Sequence, residues 1–372
     1  MIKTCQVTSV HQRYDARVFR KVAVSLARNG FDSYLLIADT LPDEDKDGVK
    51  IRSTHKVCKN RISRILSSWK MLRKPALEID ADIYQLHDPE LFKLAKFLKK
   101  HGKKVIFDSH EDYSSSVADK PWIPKPFRGL IQKNFNKKQK RILSKVDGLI
   151  TVTYFIQDKL LKINPNTIVI ANFPDLFPKK DHKFNNLDIC FGGNSSYYSH
   201  RELIDVLPSF NGEVKFNLVS EPSEDELNNW KSSDGWMYVN YRGLMPFAEL
   251  QKIYENSALG FVVIKYTKNY GYKEGSIGVI KLFEFMMEGM PVICTDFNVF
   301  KKIVGENKCG ICVNPDSKED IYNAIKFFKD NPKLLKEYGE NGRRLAEEKY
   351  NWKTQEVELV NFYNRLMTNN KE

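Results

Sequence analysis

Four short segments place histidines, carboxylates, arginines or paired glycines directly after apolar runs. They are Val10-His11-Gln12-Arg13-Tyr14-Asp15, Leu86-His87-Asp88-Pro89-Glu90, Phe107-Asp108-Ser109-His110-Glu111-Asp112-Tyr113 and Phe191-Gly192-Gly193-Asn194-Ser195-Ser196. Gly192-Gly193 lets a backbone approach a phosphate closely, although such a pair is a plain turn about as often. A fifth segment is richer. Gly271-Tyr272-Lys273-Glu274-Gly275-Ser276-Ile277-Gly278-Val279-Ile280-Lys281-Leu282-Phe283-Glu284 runs a glycine-rich loop into a helix start. Unpaired N–H groups and the positive end of the helix dipole suit a diphosphate there, and Lys281 adds a cation. Glu284, one turn on, has the chemistry to accept hydrogen bonds from ribose hydroxyls. His87 and His110 sit beside carboxylates at strand ends. They have no metal-ligand spacing, so no metal is expected. His55, His101 and His182 lie among polar residues and read as surface.

These segments need elements to hold them. Apolar β-branched runs alternate with helical-period stretches, the mark of βαβ units and parallel sheets. Strands are expected at 5–10, 31–38, 82–86, 104–108, 147–153 and 167–171, with helices at 91–100, 128–144 and 154–161. After a proline- and charge-bearing linker at 172–186, strands recur at 187–192, 215–219, 236–240, 259–264, 291–295 and 311–313. Helices are expected at 201–207, 224–231, 247–256, 280–288, 318–328 and 352–367. The fold class is therefore α/β, with two Rossmann-like doubly wound domains in series. Domain bounds are set at 1–175 and 176–350, with a C-terminal helix at 351–372. Ligands of open parallel sheets bind beyond the carboxyl ends of the strands, where the five segments fall.

With 372 residues, two cores are the default. Hydrophobic and charged fractions of 42% and 28% are those of a soluble globular protein. No apolar run approaches a membrane span and the N-terminus lacks a signal-peptide pattern, so a cytoplasmic location is expected. Cys309-Gly-Ile-Cys312 lacks a second ligand pair and reads as a turn entering a strand. Dinucleotide, P-loop and G-x-S-x-G patterns are absent.

Together the segments resemble the GT-B glycosyltransferases of family 4, the retaining group that builds bacterial surface polysaccharides. The resemblance covers nearly the whole chain and implies two Rossmann-like domains facing across a cleft, with the C-terminal helix, 351–372, packing on the first domain. It rests on His11–Phe19, His87–Leu91 and Asp108–Tyr113, and on the run Lys281-Leu282-Phe283-Glu284-Phe285-Met286-Met287-Glu288-Gly289-Met290-Pro291-Val292-Ile293. It implies a nucleotide-sugar donor, a UDP-sugar by family frequency, bound by the C-terminal domain. Glu284 would take the ribose, Gly278, Val279 and Ile280 the diphosphate, and Gly192, Gly193, Asn194 and Arg242 would line the same pocket. His110 matches the histidine that faces the donor sugar. Tyr14, Asp15, Arg17 and His87 would meet a glycan or lipid-linked acceptor. No metal or other cofactor is implied. Two departures stand out. Ser276 occupies the first position of the usual E-x7-E pair, and Gly193 and Tyr198 fall where a basic pair is usual. Arg201, Arg242, Lys265 and Lys281 are candidate replacements, with Lys281 the best placed inside the signature.

The formal charge of +12 is lopsided: residues 1–175 hold 33 Lys/Arg against 19 Asp/Glu. Residues 48–77 and 120–146 contain no acid, and Ile62, Ile65, Leu66, Trp69 and Leu72 form one helical face beside Arg/Lys. Basic amphipathic segments with Trp fit an anionic membrane surface, so peripheral docking on the inner face of the cytoplasmic membrane is expected. Nucleic acid is not, since its recognition signatures are absent. The competing readings are a nucleotide-sugar epimerase or hydrolase on the same architecture, and a catalytically weak membrane-bound scaffold.

Overall fold

The computed structural model describes residues 1–113, 125–179 and 187–368. Residues 180–186 of the expected linker, and the Pro121-Trp122-Ile123-Pro124 segment, lie outside the described residues. The chain divides into two compact units, Met1–Asn172 with Lys353–Glu372, and Phe173–Trp352.

The first unit carries strands β1 (Lys3–Thr8), β2 (Asp32–Ile37), β3 (Glu44–Lys46), β4 (Val49–Ser53), β5 (Ile83–Leu86), β6 (Lys104–Ser109), β7 (Gly148–Thr151) and β8 (Thr167–Val169). Their order in the sheet is β3-β4-β2-β1-β5-β6-β7-β8, parallel except for β3. The chain winds outward from β1 through β2 and β4, then returns to the other side of β1 with β5. That reversal is the topological switch where ligands of such sheets gather. A π-helical stretch, Ala16–Ala23, continues as α1 (Val24–Arg28). α2 (Arg61–Ile79), α3 (Phe92–Lys100), α4 (Arg128–Leu143) and α5 (Tyr154–Leu161) follow.

The second unit's six strands are β9 (Ile189–Gly192), β10 (Phe216–Val219), β11 (Val239–Arg242), β12 (Leu259–Val262), β13 (Val292–Thr295) and β14 (Gly310–Val313). All are parallel, in the order β11-β10-β9-β12-β13-β14, so the switch lies between β9 and β12. Its helices are α6 (His200–Val206), α7 (Glu224–Lys231), α8 (Phe247–Glu255), α9 (Ile280–Glu288), α10 (Lys318–Asp330) and α11 (Pro332–Glu348). α12 (Trp352–Thr368) ends the described chain and, from Lys353, belongs to the first unit. There Tyr363 and Phe362 are fully buried.

Three elements depart from the sequence expectation. β3 and β4 form a hairpin around Asp47-Gly48, both at positive φ, the turn that an Asp-Gly pair favours. Residues 234–238 are a 3-10 turn, and the strand starts later, at Val239. α11 was not expected because much of its buried stripe is small: Gly339 and Gly342 lie beside Leu335 and Ala346. A Cβ on Gly339 would meet the Gly289 carbonyl oxygen at 2.0 Å, so the helix approaches closely where a large side chain would not fit.

Candidate active site

At the first unit's switch, the ends of β1, β5 and β6 bring His11, His87, Asp88, Asp108 and His110 together. Asp15 starts the Ala16 helix by accepting from the Arg17 and Val18 N–H groups, each at 2.8 Å. This cap sends Arg17 inward. Its guanidinium grips both oxygens of Asp108 at 3.0 Å and donates to the Ile170 carbonyl at 2.9 Å. Burial pushes the Asp108 carboxyl up, but the charge of Arg17 outweighs it and holds the group well below the ordinary range.

A directional hydrogen-bond chain surrounds this pair. Gln6 Nε2 donates to Tyr363 Oη at 3.0 Å, Tyr363 Oη donates to Gln85 Oε1 at 2.6 Å, and Gln85 Nε2 donates to Asp108 at 2.9 Å. Gln6 Oε1 is therefore the acceptor for His87 Nε2–H at 3.0 Å. Burial lowers the His87 pKa to about 4, so the ring is neutral and its Nδ1 accepts from His110 Nε2–H at 3.1 Å. His110 is thus fixed by one nitrogen, and Nδ1 is the ring position outside this network. His11 completes the group, its ring centroid 4.9 Å from that of His110. Burial opposes its protonation, but the Asp15 hydrogen bond and the Asp88 charge raise its pKa overall.

His87, Asp108 and His110 place three ligand atoms within 4.8 Å of one another. Their separation in sequence had hidden this grouping. The carboxylate already accepts from Arg17 and Gln85, and the guanidinium charge sits against it. The cluster fits a proton network better than a second cation.

Burial also corrects two expectations. Arg17 and His87, expected to meet an acceptor, are 4% and 0% exposed and spend their polar atoms inside the protein. They hold Asp108 and His110 through these contacts. Tyr14 is exposed, and its hydroxyl donates to Glu44 at 2.5 Å. Asp15 is half-buried, and both its oxygens are engaged, by the helix cap and by His11 at 3.2 Å. Gln6, Gln85 and Tyr363 were not anticipated; their only signal is polar character inside otherwise apolar elements.

In the second unit, β9 ends at Gly192, and Gly193 follows at φ +136°. A Cβ on Gly193 would lie 2.9 Å from Lys281 Cε, so the lysine stem crosses directly over this turn. Lys281 Nζ pairs with Glu284 at 2.6 Å. Both side chains are about one-fifth exposed. α9 starts at Val279 with no side-chain cap, which leaves its first N–H groups without the usual partner. Leu282, Phe283, Phe285, Met286 and Met287 bury the rest of α9. Ser276, at the position of the absent acid, accepts from Gly278 N–H at 3.0 Å and shapes the loop. Asn194 is exposed and caps Ser196 N–H. Arg242 is exposed at the end of β11, two strands from Gly192. Arg201 is bound to Asp205 and Ser232, and Lys265 to Glu202 and Asp316.

Residues 16–176 match the family model Glycosyltransferase Family 4, and residues 246–345 match Glycosyl transferases group 1. An uncharacterized glycosyltransferase of Methanocaldococcus jannaschii is 28% identical over 299 residues, 74% of this chain and 71% of that protein. A glycosyltransferase structure from Rickettsia africae aligns over 99% of both chains, at 17% identity and a TM-score of 0.73. Anabaena HepE, solved in complex with UDP-glucose, aligns over 98% of this chain and 100% of its own, at 12% identity and a TM-score of 0.69. The chain is a glycosyltransferase of the GT-B fold, broadly like family 4.

Proposed function

We propose that this chain moves a sugar from a nucleotide-diphosphate-sugar, UDP-sugar being the first candidate, to a hydroxyl of a glycan or lipid-linked acceptor. The product belongs to cell-surface polysaccharide, the anomeric configuration is retained, and no metal takes part. The observation that carries the donor half is Lys281 lying over the Gly193 turn, beside Glu284, at the uncapped start of α9. HepE's complex with UDP-glucose, on the same fold, supports the choice of donor.

In this reading a bond forms from the acceptor oxygen to the anomeric carbon as the bond to the diphosphate breaks, and the acceptor hydroxyl's proton passes to the departing diphosphate oxygen. Negative charge builds on the departing diphosphate. As the donor binds, Lys281 turns to the phosphates and releases Glu284 for the ribose. The α9 N–H groups, Lys281 and Arg242 then meet the developing charge. His110, fixed through Nε2, offers Nδ1 to the sugar. The protein works at the inner face of the cytoplasmic membrane; no described helix is long and apolar enough to cross it.

The test is a thermal-shift panel of UDP, GDP, ADP and CMP on wild type and Glu284→Ala. Ligand at 100 times its dissociation constant stabilises by about 2.7 kcal/mol, a shift of a few degrees. A rise with UDP that shrinks in Glu284→Ala is expected. No rise with any nucleotide would overturn the donor assignment.

A further inference from the structure

In the first unit, α2, α3 and α4 precede β5, β6 and β7, which are parallel neighbours. Right-handed crossovers in one direction put all three helices on one face, running parallel to each other. Together they hold fifteen Lys/Arg and one acid, Glu78. A groove of about 610 Å³ runs among them. Its floor is aromatic: Trp69, Phe92 and Phe97. Its walls carry Lys93, Lys96, Lys100, Lys137, Lys138 and Arg141.

None of these six cations has an ion-pair partner among the described residues. The neighbouring acids are taken: Glu90 by Arg64 at 3.3 Å, and Asp147 by Lys99 at 2.7 Å. Lys93 sits 5.9 Å from the Trp69 ring centroid, and Lys138 sits 5.9 Å from that of Phe92. Desolvation in the groove, followed by repulsion from Lys93, holds the Lys138 ammonium below its ordinary range. Gathering like charges over an apolar floor is unfavourable unless an anion joins them. Trp69 also keeps its indole N–H without a partner.

The same helices carry the observation that chooses between a free phosphate and a lipid. α2 exposes Ile62, Ile65 and Leu66 in its first two turns. Phe127, Leu130 and Ile131 are exposed at the start of α4. Because the helices are parallel, both apolar sets lie at one end of the layer, the end that also carries Tyr14 and His110. A soluble phosphate ligand would have no use for them. We propose that this groove binds the phosphate headgroup of an anionic lipid while the six apolar side chains rest in the interface. The inference deepens the membrane-docking part of the function above, and it does not depend on the donor chemistry.

The test is flotation of the full chain with phosphatidylglycerol–phosphatidylcholine vesicles. Wild type, the groove variant Lys96→Ala/Lys137→Ala/Arg141→Ala and a control variant Arg61→Ala/Lys133→Ala/Lys140→Ala are compared. Each triple removes three charges, so diffuse attraction weakens both equally. Beyond the loss that the two triples share, a headgroup site predicts a further loss of about tenfold or more in the groove variant. Leu66→Ser/Ile131→Ser should weaken vesicle binding without changing the thermal shift by glycerol phosphate. Cooperative urea unfolding at the wild-type midpoint shows that the first unit of each variant is folded, and the vesicle result stands whatever becomes of the donor reading. Equal losses in both triples would overturn the site, as would glycerol phosphate binding with no vesicle binding.

Discussion

The two units treat their polar groups in opposite ways. At the first unit's switch nearly every buried donor finds an acceptor: Arg17 on Asp108, Tyr363 between two glutamines, His87 between Gln6 and His110. At the second unit's switch the helix start has no side-chain cap, and the buried hydroxyls of Ser195, Ser220 and Tyr254 have no partner among the described residues. A saturated site is held rigid by its own protein. An unsaturated one leaves hydrogen bonds for a ligand to complete. That difference is in line with the proposal that the first unit presents one oriented histidine and the second binds the donor's diphosphate.

The sharpest way to break the comparison is to unpair Asp108. Arg17→Met leaves a buried carboxylate without its cation, which costs about 3–5 kcal/mol. The urea midpoint of the first unit should fall accordingly. A loss under 1 kcal/mol would mean that the network is not rigid. Acid should act on the same cluster next. His87 titrates near 4 in the folded state against an ordinary 6.5, so the unfolded chain takes up the proton first. Its contribution is fully present above pH 6.5 and declines by about 3 kcal/mol on going down to pH 4. His11 works with the opposite sign, because its folded pKa is raised. His200, buried and lowered to about 3, adds a similar acid loss in the second unit. His87→Gln should therefore flatten, though not abolish, the fall in urea midpoint between pH 6.5 and 4.5. An unchanged slope would assign it to His200.

The parts of this contrast that sequence made legible are those written in neighbouring residues. The strand–helix alternation and the loop running into α9 follow from local periodicity and glycine placement. Tyr154–Leu161, Glu224–Lys231 and Ile280–Glu288 have the expected bounds because their apolar spacing is unambiguous. The orienting network was not legible. Gln6, Gln85 and Tyr363 stand far apart in sequence and meet only because β1 and β5 pair and α12 packs on them. For Arg17, the family resemblance implied acceptor contact. The Asp15 cap turned it inward, a consequence of helix geometry rather than of residue type.

The glycine turn gives a middle-sized test. A Cβ on Gly192 would lie 2.5 Å from Leu250 Cδ1 and 2.8 Å from Tyr254 Oη, both in a packed interior. Gly192→Ala should cost about 1–3 kcal/mol by overpacking. It should also weaken UDP binding, because the turn that Lys281 crosses is displaced. Full retention of both stability and binding would detach the turn from the donor site.

Two buried tyrosines make the finest comparison. Tyr363→Phe removes the hydroxyl that joins Gln6 to Gln85, leaving an amide donor and an amide acceptor unpaired. The expected cost is about 1–3 kcal/mol in the first unit. Tyr254→Phe removes a hydroxyl that has no partner, so stability should stay within about 0.5 kcal/mol of wild type or rise slightly. Nucleotide affinity decides what that hydroxyl is for. If Tyr254 is kept for the ligand beside Gly192, Tyr254→Phe should bind UDP several-fold more weakly at unchanged stability, as measured by calorimetry. Wild-type UDP affinity at unchanged stability would make the unpaired hydroxyl a packing leftover, and would confine the second unit's open hydrogen-bonding capacity to α9 and Lys281.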